Sequence, residues 1–321
     1  MIILGLTSPI MIVAIAGSGD MARYASEELT RDGHDVVILS RSNSSQKPHF
    51  NLPGIQQVKT DYTTPSLLQI LNDTKAQVLI SFITDYTASF ITVHENLIDA
   101  CLCSVRCKRF IPSEYAGNIA EFPESPSFYY RTRQPIRQIL RRQDQLEWTL
   151  VCCGWLMDYI LPSKNRHLKD AGPGFPIDLA NQRIVIPGTG DDEISFLAAR
   201  DLARALSVLV SSPLAWGEYT YICGETGTFN ELVEMVLGFY PHLQRDGITY
   251  KSVEELEMML QSSQDEEEKI LAEYQMGNVG PSLLLPEEKV QADRQRYFGG
   301  VKFRGILELL GQARDNPNVV V

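Results

Sequence analysis

The chain has 321 residues, 44% hydrophobic and 21% charged, with a formal net charge of -11. That length holds one large α/β unit or two closely packed lobes, and the composition is that of a folded globular protein. The acidic balance disfavours sequence-independent nucleic-acid binding and docking on anionic membranes, which need clustered Lys and Arg, and no run reaches the roughly 20 apolar residues that span a bilayer.

Residues 1–10, MIILGLTSPI, are apolar but lack a basic flank and a small-residue cleavage site, so they read as a lead-in or an extra edge segment. IVAIAGSGDMA at Ile12–Ala22 follows: an apolar run breaking into Gly17-x-Gly19-x-x-Ala22, the pattern of strand, tight turn and helix N-terminus. A helix is expected over Met21–Arg31, closed by Gly33. A second strand is expected over Asp35–Ser40, and the polar stretch from Arg41 to Pro53 is a surface loop. Strand Ile55–Lys59, helix Pro65–Asn72 with the Thr63-Thr64 pair as cap, and the buried strand Gln77–Ile83 come next. Then come a helix from Tyr86 to about Cys103, a strand at Arg109–Ile111, a helical segment Tyr129–Arg142 to which Pro135 objects, and a buried strand Glu147–Cys153.

Strands alternating with helices at this spacing specify an α/β fold with a doubly wound parallel sheet. Gly and Pro crowd the chain after Trp155, as far as about residue 192. The expected division is therefore a Rossmann domain over 1–154 and a smaller C-terminal α/β substrate lobe over 155–321. An amphipathic helix at Phe196–Val210 returns to the first domain. Further helices are expected at Asn230–Leu237, Val253–Gln261 and Gln264–Glu273, with the acidic run Asp265–Lys269 as a solvated face.

The glycine pattern sits where a dinucleotide's pyrophosphate would bind. Gly17 permits the turn, Gly19 lets the backbone approach the phosphates, Asp20 and Met21 open the helix, and Ala22 keeps it close to the sheet. The second strand ends in Arg41 and Ser42 instead of the Asp or Glu that holds an NAD ribose. A guanidinium there suits a 2′-phosphate, so the expected cofactor is NADPH/NADP+. Arg23 is a second cation or a solvent-facing side chain. Thr84 and Asp85, at the end of a buried strand, stand where open α/β sheets place ligands, or act as a helix cap. The bland alternative for the whole unit is a Rossmann-like fold without its cofactor.

Six cysteines carry no metal-site spacing with a second Cys or His cluster, so no metal is expected. Cys152 and Cys153 lie in an apolar strand. Reduced structural thiols point to a reducing compartment, the cytosol.

KRFIPSEYAGN at Lys108–Asn118 resembles the strand-and-loop signature of the isoflavone-reductase-like, NmrA-like branch of atypical short-chain dehydrogenases. The resemblance runs through LISFIT at Leu79–Thr84, ARDLARAL at Ala199–Leu206 and TYKSVEEL at Thr249–Leu256, and covers nearly the whole chain. It implies NADPH held by a Rossmann domain, with Pro112 and Ser113 on the cofactor side. It also implies a C-terminal lobe closing over a small apolar or aromatic substrate, lined here by Tyr115, Trp155, Met157 and Tyr159; the last three read equally as ordinary inter-lobe core. A homodimer is compatible with it. The family's reductases carry a catalytic Lys just ahead of an Ile-Arg pair; here FYYRTRQPIRQ puts Arg133 in that place.

Tyr129 stands one helical turn before Arg133, so both side chains can enter one cleft. The expectation is that Tyr129 or a bound water donates a proton while Arg133 orients and lowers the phenol's pKa, since Arg itself does not shuttle protons. The alternative is that Tyr129 packs at the lobe interface and Arg133 forms a surface ion pair. His167 reads as a loop histidine, exposed, or as a general acid. The leading expectation is an NADPH-dependent reductase of a carbonyl or conjugated C=C in an aromatic or polyketide-like metabolite. The alternatives are an NADP(H)-sensing regulator without turnover and a cyclase, isomerase or dehydratase reusing the pocket.

Overall fold

The computed structural model describes residues 9–41 and 48–321. Ser42 and most of the N-terminal lead-in therefore lie outside the described residues. The sheet begins with β1 (Ile12–Ala16), followed by α1 (Asp20–Arg31), β2 (Asp35–Ser40), β3 (Ile55–Lys59), α2 (Thr64–Thr74), β4 (Val78–Ser81), α3 (Ala88–Cys103), β5 (Arg109–Ile111), α4 (Ser127–Arg141), β6 (Glu147–Trp148) and β7 (Leu150–Cys152). Six strands form one parallel sheet in the order β3-β2-β1-β4-β5-β6.

The order of this sheet follows from burial. Side chains alternate across a strand, so Ala14 and Ala16 face one layer with Leu67, Leu79 and Leu97, while Val13 and Ile15 face the other with Leu29, Ile38 and Leu206. A strand apolar on both faces is stable only with helices on both sides. The order reverses between β1 and β4, whose register sets Ala16 beside Ser81, while Ala16 also faces Leu39 of β2. Chain segments leaving β1 and β4 therefore part on either side of a crevice.

The remaining elements are β8 (Trp155–Leu156), β9 (Ile177–Asp178), β10 (Arg183–Pro187), β11 (Ile194–Leu197), α5 (Ala199–Ser211), β12 (Tyr219–Tyr221), β13 (Glu225–Gly227), α6 (Phe229–Phe239), β14 (Ile248–Lys251), α7 (Val253–Ser262), α8 (Glu266–Met276), α9 (Glu287–Tyr297) and α10 (Ile306–Asp315). The Phe196–Val210 helix expected from periodicity is split. Ile194–Leu197 is a fully buried strand between β8 and β13, and Phe196 sits in a core with Phe229 and Leu309. Apolar periodicity does not separate a short buried strand from the first turn of a helix. The helix begins at Ala199, whose N–H donates to Asp158 Oδ2 at 2.6 Å. Its charged face meets α1, with Arg200 to Glu28 at 2.7 Å and Ser207 to Asp32 at 2.6 Å.

Pro135 does not break α4, which runs unbroken from Ser127 to Arg141. The helix gains elsewhere: Glu273 of α8 accepts from Ser127 Oγ and from the Phe128 N–H, each at 2.7 Å, satisfying a donor of the first turn. No helix among the described residues is long and apolar enough to cross a membrane.

Candidate active site

The loop leaving β1 turns at Gly17, whose φ is +102° and where a Cβ would come within 3.3 Å of the Phe82 backbone. Only glycine fits a left-handed turn so close to the neighbouring strand. Tyr62, which the sequence reading passed over, secures this turn. Its hydroxyl donates to Leu39 O at 2.7 Å and accepts from the Gly17 N–H at 3.0 Å. Its ring lies 5.4 Å from the Arg41 guanidinium carbon, so Arg41, exposed at the end of β2, is held beside the glycine turn. Gly19 caps α1 without a side-chain hydrogen bond, and a Cβ there would meet nothing within 4 Å. Open space thus stands before the free N–H groups of the first helical turn. Asp20 turns a carboxylate oxygen to the Lys169 N–H at 3.0 Å, and Arg23 pairs with Glu27 at 3.4 Å.

A cavity of about 410 Å³ begins at this helix end, where Gly19, Asp20 and Met21 form one wall. It continues past Phe82 and Thr84 after β4, past Ser113 and Tyr115 after β5, and past Trp155 and Tyr159 beyond β7. These segments all leave the carboxyl ends of parallel strands, the usual ligand crevice of open α/β sheets. The far wall is Tyr129, Arg133, Tyr86 and Tyr274. Pro112 is buried just behind Ser113. Met157 is fully buried among Phe196 and Phe229 in the C-terminal core and is not part of the cavity wall. The change in chain direction after β8 turns it inward. Asp85 is not the cap of α3: its Oδ1 accepts from the Thr87 N–H at 2.7 Å, and Thr87 caps the helix.

Tyr129 and Arg133 do share one cleft. The guanidinium carbon of Arg133 stands 4.4 Å from the Tyr129 ring centre and 3.8 Å from that of Phe90. Arg133 is 2% exposed and forms no surface ion pair. Arg133 acts on the phenol in the expected direction, but the net shift is upward. Burial, reinforced by Tyr86, pushes Tyr129 well above the ordinary phenol value, and the charge of Arg133 only partly opposes it. In a dry setting, keeping the hydroxyl neutral outweighs attraction to a cation. The Tyr129 hydroxyl lies 3.5 Å from that of Tyr274, which is 2.7 Å from that of Tyr86.

A model of the NmrA-like family matches residues 9–255. The chain belongs to the NmrA-like family. It is similar to oxidoreductase swnR of Metarhizium robertsii, 42% identical over 97% of this chain and 100% of that protein. Oxidoreductase swnR of Arthroderma benhamiae is 41% identical over the same shares. Among solved structures, AtPrR2 with NADP+ and (+)pinoresinol superposes with a TM-score of 0.73 at 17% identity, covering 94% of this chain and 98% of that one. Such distant likeness speaks for the fold.

In this NmrA-like chain, several wall residues carried no signal in the sequence. Tyr274 lies in a helix that reads as acidic and solvated, yet it reaches the cavity because Glu273 ties α8 to α4. Tyr86 is one residue beyond the Thr84-Asp85 pair that positional reasoning singled out. Trp155, expected in the wall and found there, is fixed by its indole N–H to Asn278 Oδ1. His167 is neither exposed nor part of the cavity. Its side chain is 4% exposed, with Nε2 2.9 Å from Glu27 Oε1 and its ring against Tyr24.

Proposed function

We propose that this protein is an NADPH-dependent oxidoreductase that reduces a carbonyl or conjugated C=C of a small aromatic or polyketide-like metabolite. One observation carries the reading: a single cavity joins the open N-terminus of α1 to the Tyr129–Arg133 cluster. The cofactor's groups fit the residues present. The uncapped first turn and Gly17 suit a pyrophosphate, and Arg41 beside Tyr62 suits a 2′-phosphate. The oxidoreductase relatives, similar over nearly the full chain, support the reaction class.

When bound, the reduced cofactor supplies a hydride. The chain's own part is to exclude water with Phe82, Trp155 and Tyr274, and to supply a proton. Tyr129 is neutral at physiological pH, so its hydroxyl has a proton to donate. Arg133 supplies a fixed positive charge beside the Tyr129 ring at the far wall of the cleft. The experiment is a fluorescence titration with NADPH and NADH, followed by NADPH oxidation with aromatic ketones and enones. Sub-millimolar NADPH binding and cofactor consumption are expected. Binding without hydride transfer to any of these substrates rejects the reductase reading, and equal preference for NADH rejects the role of Arg41.

A further inference from the structure

Among the described residues five arginines are buried: Arg133, Arg137, Arg166, Arg200 and Arg304. Four face a carboxylate. Arg137 grips Glu114 through two hydrogen bonds of 2.7 and 3.1 Å; Arg200 meets Glu27 and Glu28; Arg304 meets Asp201; Arg166 meets Asp170. Among the described residues, Arg133 has no carboxylate within hydrogen-bonding reach. Only one of its nitrogens is committed: Nη1 donates to Asp85 O at 2.7 Å and to Thr132 Oγ1 at 2.6 Å. Its Nε is buried and has no partner.

A buried charge without a counter-charge is strongly unfavourable, and a buried donor without an acceptor adds to the penalty. Three ring faces, those of Phe90, Tyr129 and Tyr86, offset part of this through cation–π attraction. The two acids that act on Arg133 or are acted on by it, Glu114 and Asp85, are engaged elsewhere, with Arg137 and with the Thr87 cap. The guanidinium lines the cavity, so the missing anion is one that enters the cavity.

We propose that the substrate is a carboxylic acid, an aromatic or unsaturated ring acid whose carboxylate is received by Arg133. This rests on the reductase reading for the word substrate, but the binding claim stands independently of turnover. A guanidinium takes a carboxylate through parallel N–H bonds, which a lysine at this place does not reproduce. Trp155 and Tyr274 line the same cavity and offer flat apolar surface to the ring of such an acid.

The test compares benzoate, cinnamate and 1-naphthoate with their neutral amides, titrated into the full chain with and without NADPH and followed by tryptophan fluorescence. At least one acid is expected to bind at least about tenfold more tightly than its amide. Arg133→Gln is expected to abolish that preference while leaving NADPH affinity within about twofold. Arg133→Lys is expected to keep a smaller part of it. Equal binding of each acid and its amide overturns the proposal, as does a preference that survives Arg133→Gln. So does failure of all three acids to bind at about 10 mM. Loss of NADPH affinity in Arg133→Gln with the acid preference intact assigns the missing anion to the cofactor and also overturns it. If Arg133→Gln does not fold, the acid–amide comparison in the unaltered chain and in Arg133→Lys decides. A chain that binds the acids but not NADPH fails the reductase reading and keeps this one.

Discussion

The hydroxyls of Tyr86 and Tyr274 lie 2.7 Å apart although 188 residues separate them in the chain. The contact joins the loop after β4 to α8, and the Tyr129 hydroxyl of α4 lies 3.5 Å from the same Tyr274 oxygen. Three distant segments thus converge on one short array of phenols. Each is held by its neighbours, and a change at one is felt at the others.

Tyr129→Phe is expected to reduce turnover by about 10²–10⁴-fold with little change in KM, the range for loss of a positioned proton donor. Tyr274→Phe should cost turnover only about tenfold, because it removes a hydrogen bond that positions the donor. Because burial raises Tyr129, its hydroxyl stays protonated above the pH at which an ordinary phenol ionises. The rate profile should therefore show no Tyr129 ionisation near pH 10. An alkaline limb at that pH that disappears in Tyr129→Phe counts against this assignment.

Arg41→Ala should weaken NADPH binding by about 10- to 100-fold, the range for one charge-assisted contact, and leave NADH binding nearly unchanged. Parallel titrations with the two cofactors measure it. Tyr62→Phe removes the hydrogen bonds at the Gly17 turn but leaves the guanidinium, so it should weaken both cofactors alike.

The pair between α1 and the loop at His167 gives a dependence on acid. Burial by itself raises the Glu27 carboxyl, but the hydrogen bond and charge of His167, and then Arg200, more than offset this and bring it from 4.5 to about 2. A folded-state value below the unfolded one stabilises fully above pH 4.5 and is lost as pH falls toward 2. Discounted for its partial exposure, the effect is about 1–2 kcal/mol. Thermal melts across that interval should show the decline, and Glu27→Gln should lower the melt at pH 7 while flattening the slope. An unchanged slope in the variant assigns the acid dependence to other groups.

Glu114 and Arg137 are each 2% exposed and joined by two hydrogen bonds. Removing one partner leaves the other charge buried, so Glu114→Gln should destabilise the fold by about 3–5 kcal/mol. Denaturant titration reads this directly. A loss below about 1 kcal/mol would mean that the pair behaves as an exposed one.

What the residues disclosed in advance divides along physical lines. The βαβ unit was legible because its signals are local: Gly17 must turn left-handed, Val78–Ser81 is apolar throughout, and Thr63 caps α2. The short strand Ile194–Leu197 was not, because its identity depends on neighbours on both sides. At the site, the spacing of Tyr129 and Arg133 placed them together, but spacing says nothing about dielectric. The direction of the Tyr129 shift is set by how tightly Phe128, Tyr86 and Tyr274 enclose it. Met157 illustrates the reverse. Its residue type suits a ligand wall, and the bend after Leu156 sends it into a core.

The contact at Gly154 limits how this cavity can be reshaped. With φ at +63°, any Cβ there would fall 2.0 Å from the carbonyl oxygen of Ser195, so main chain abuts main chain. Side chains facing a ligand can be exchanged without moving this junction, whereas the junction itself has no slack. New ligand dimensions are therefore carved from side chains such as Trp155 and Tyr159, which follow Gly154 in the chain, because the main chain beneath them is fixed.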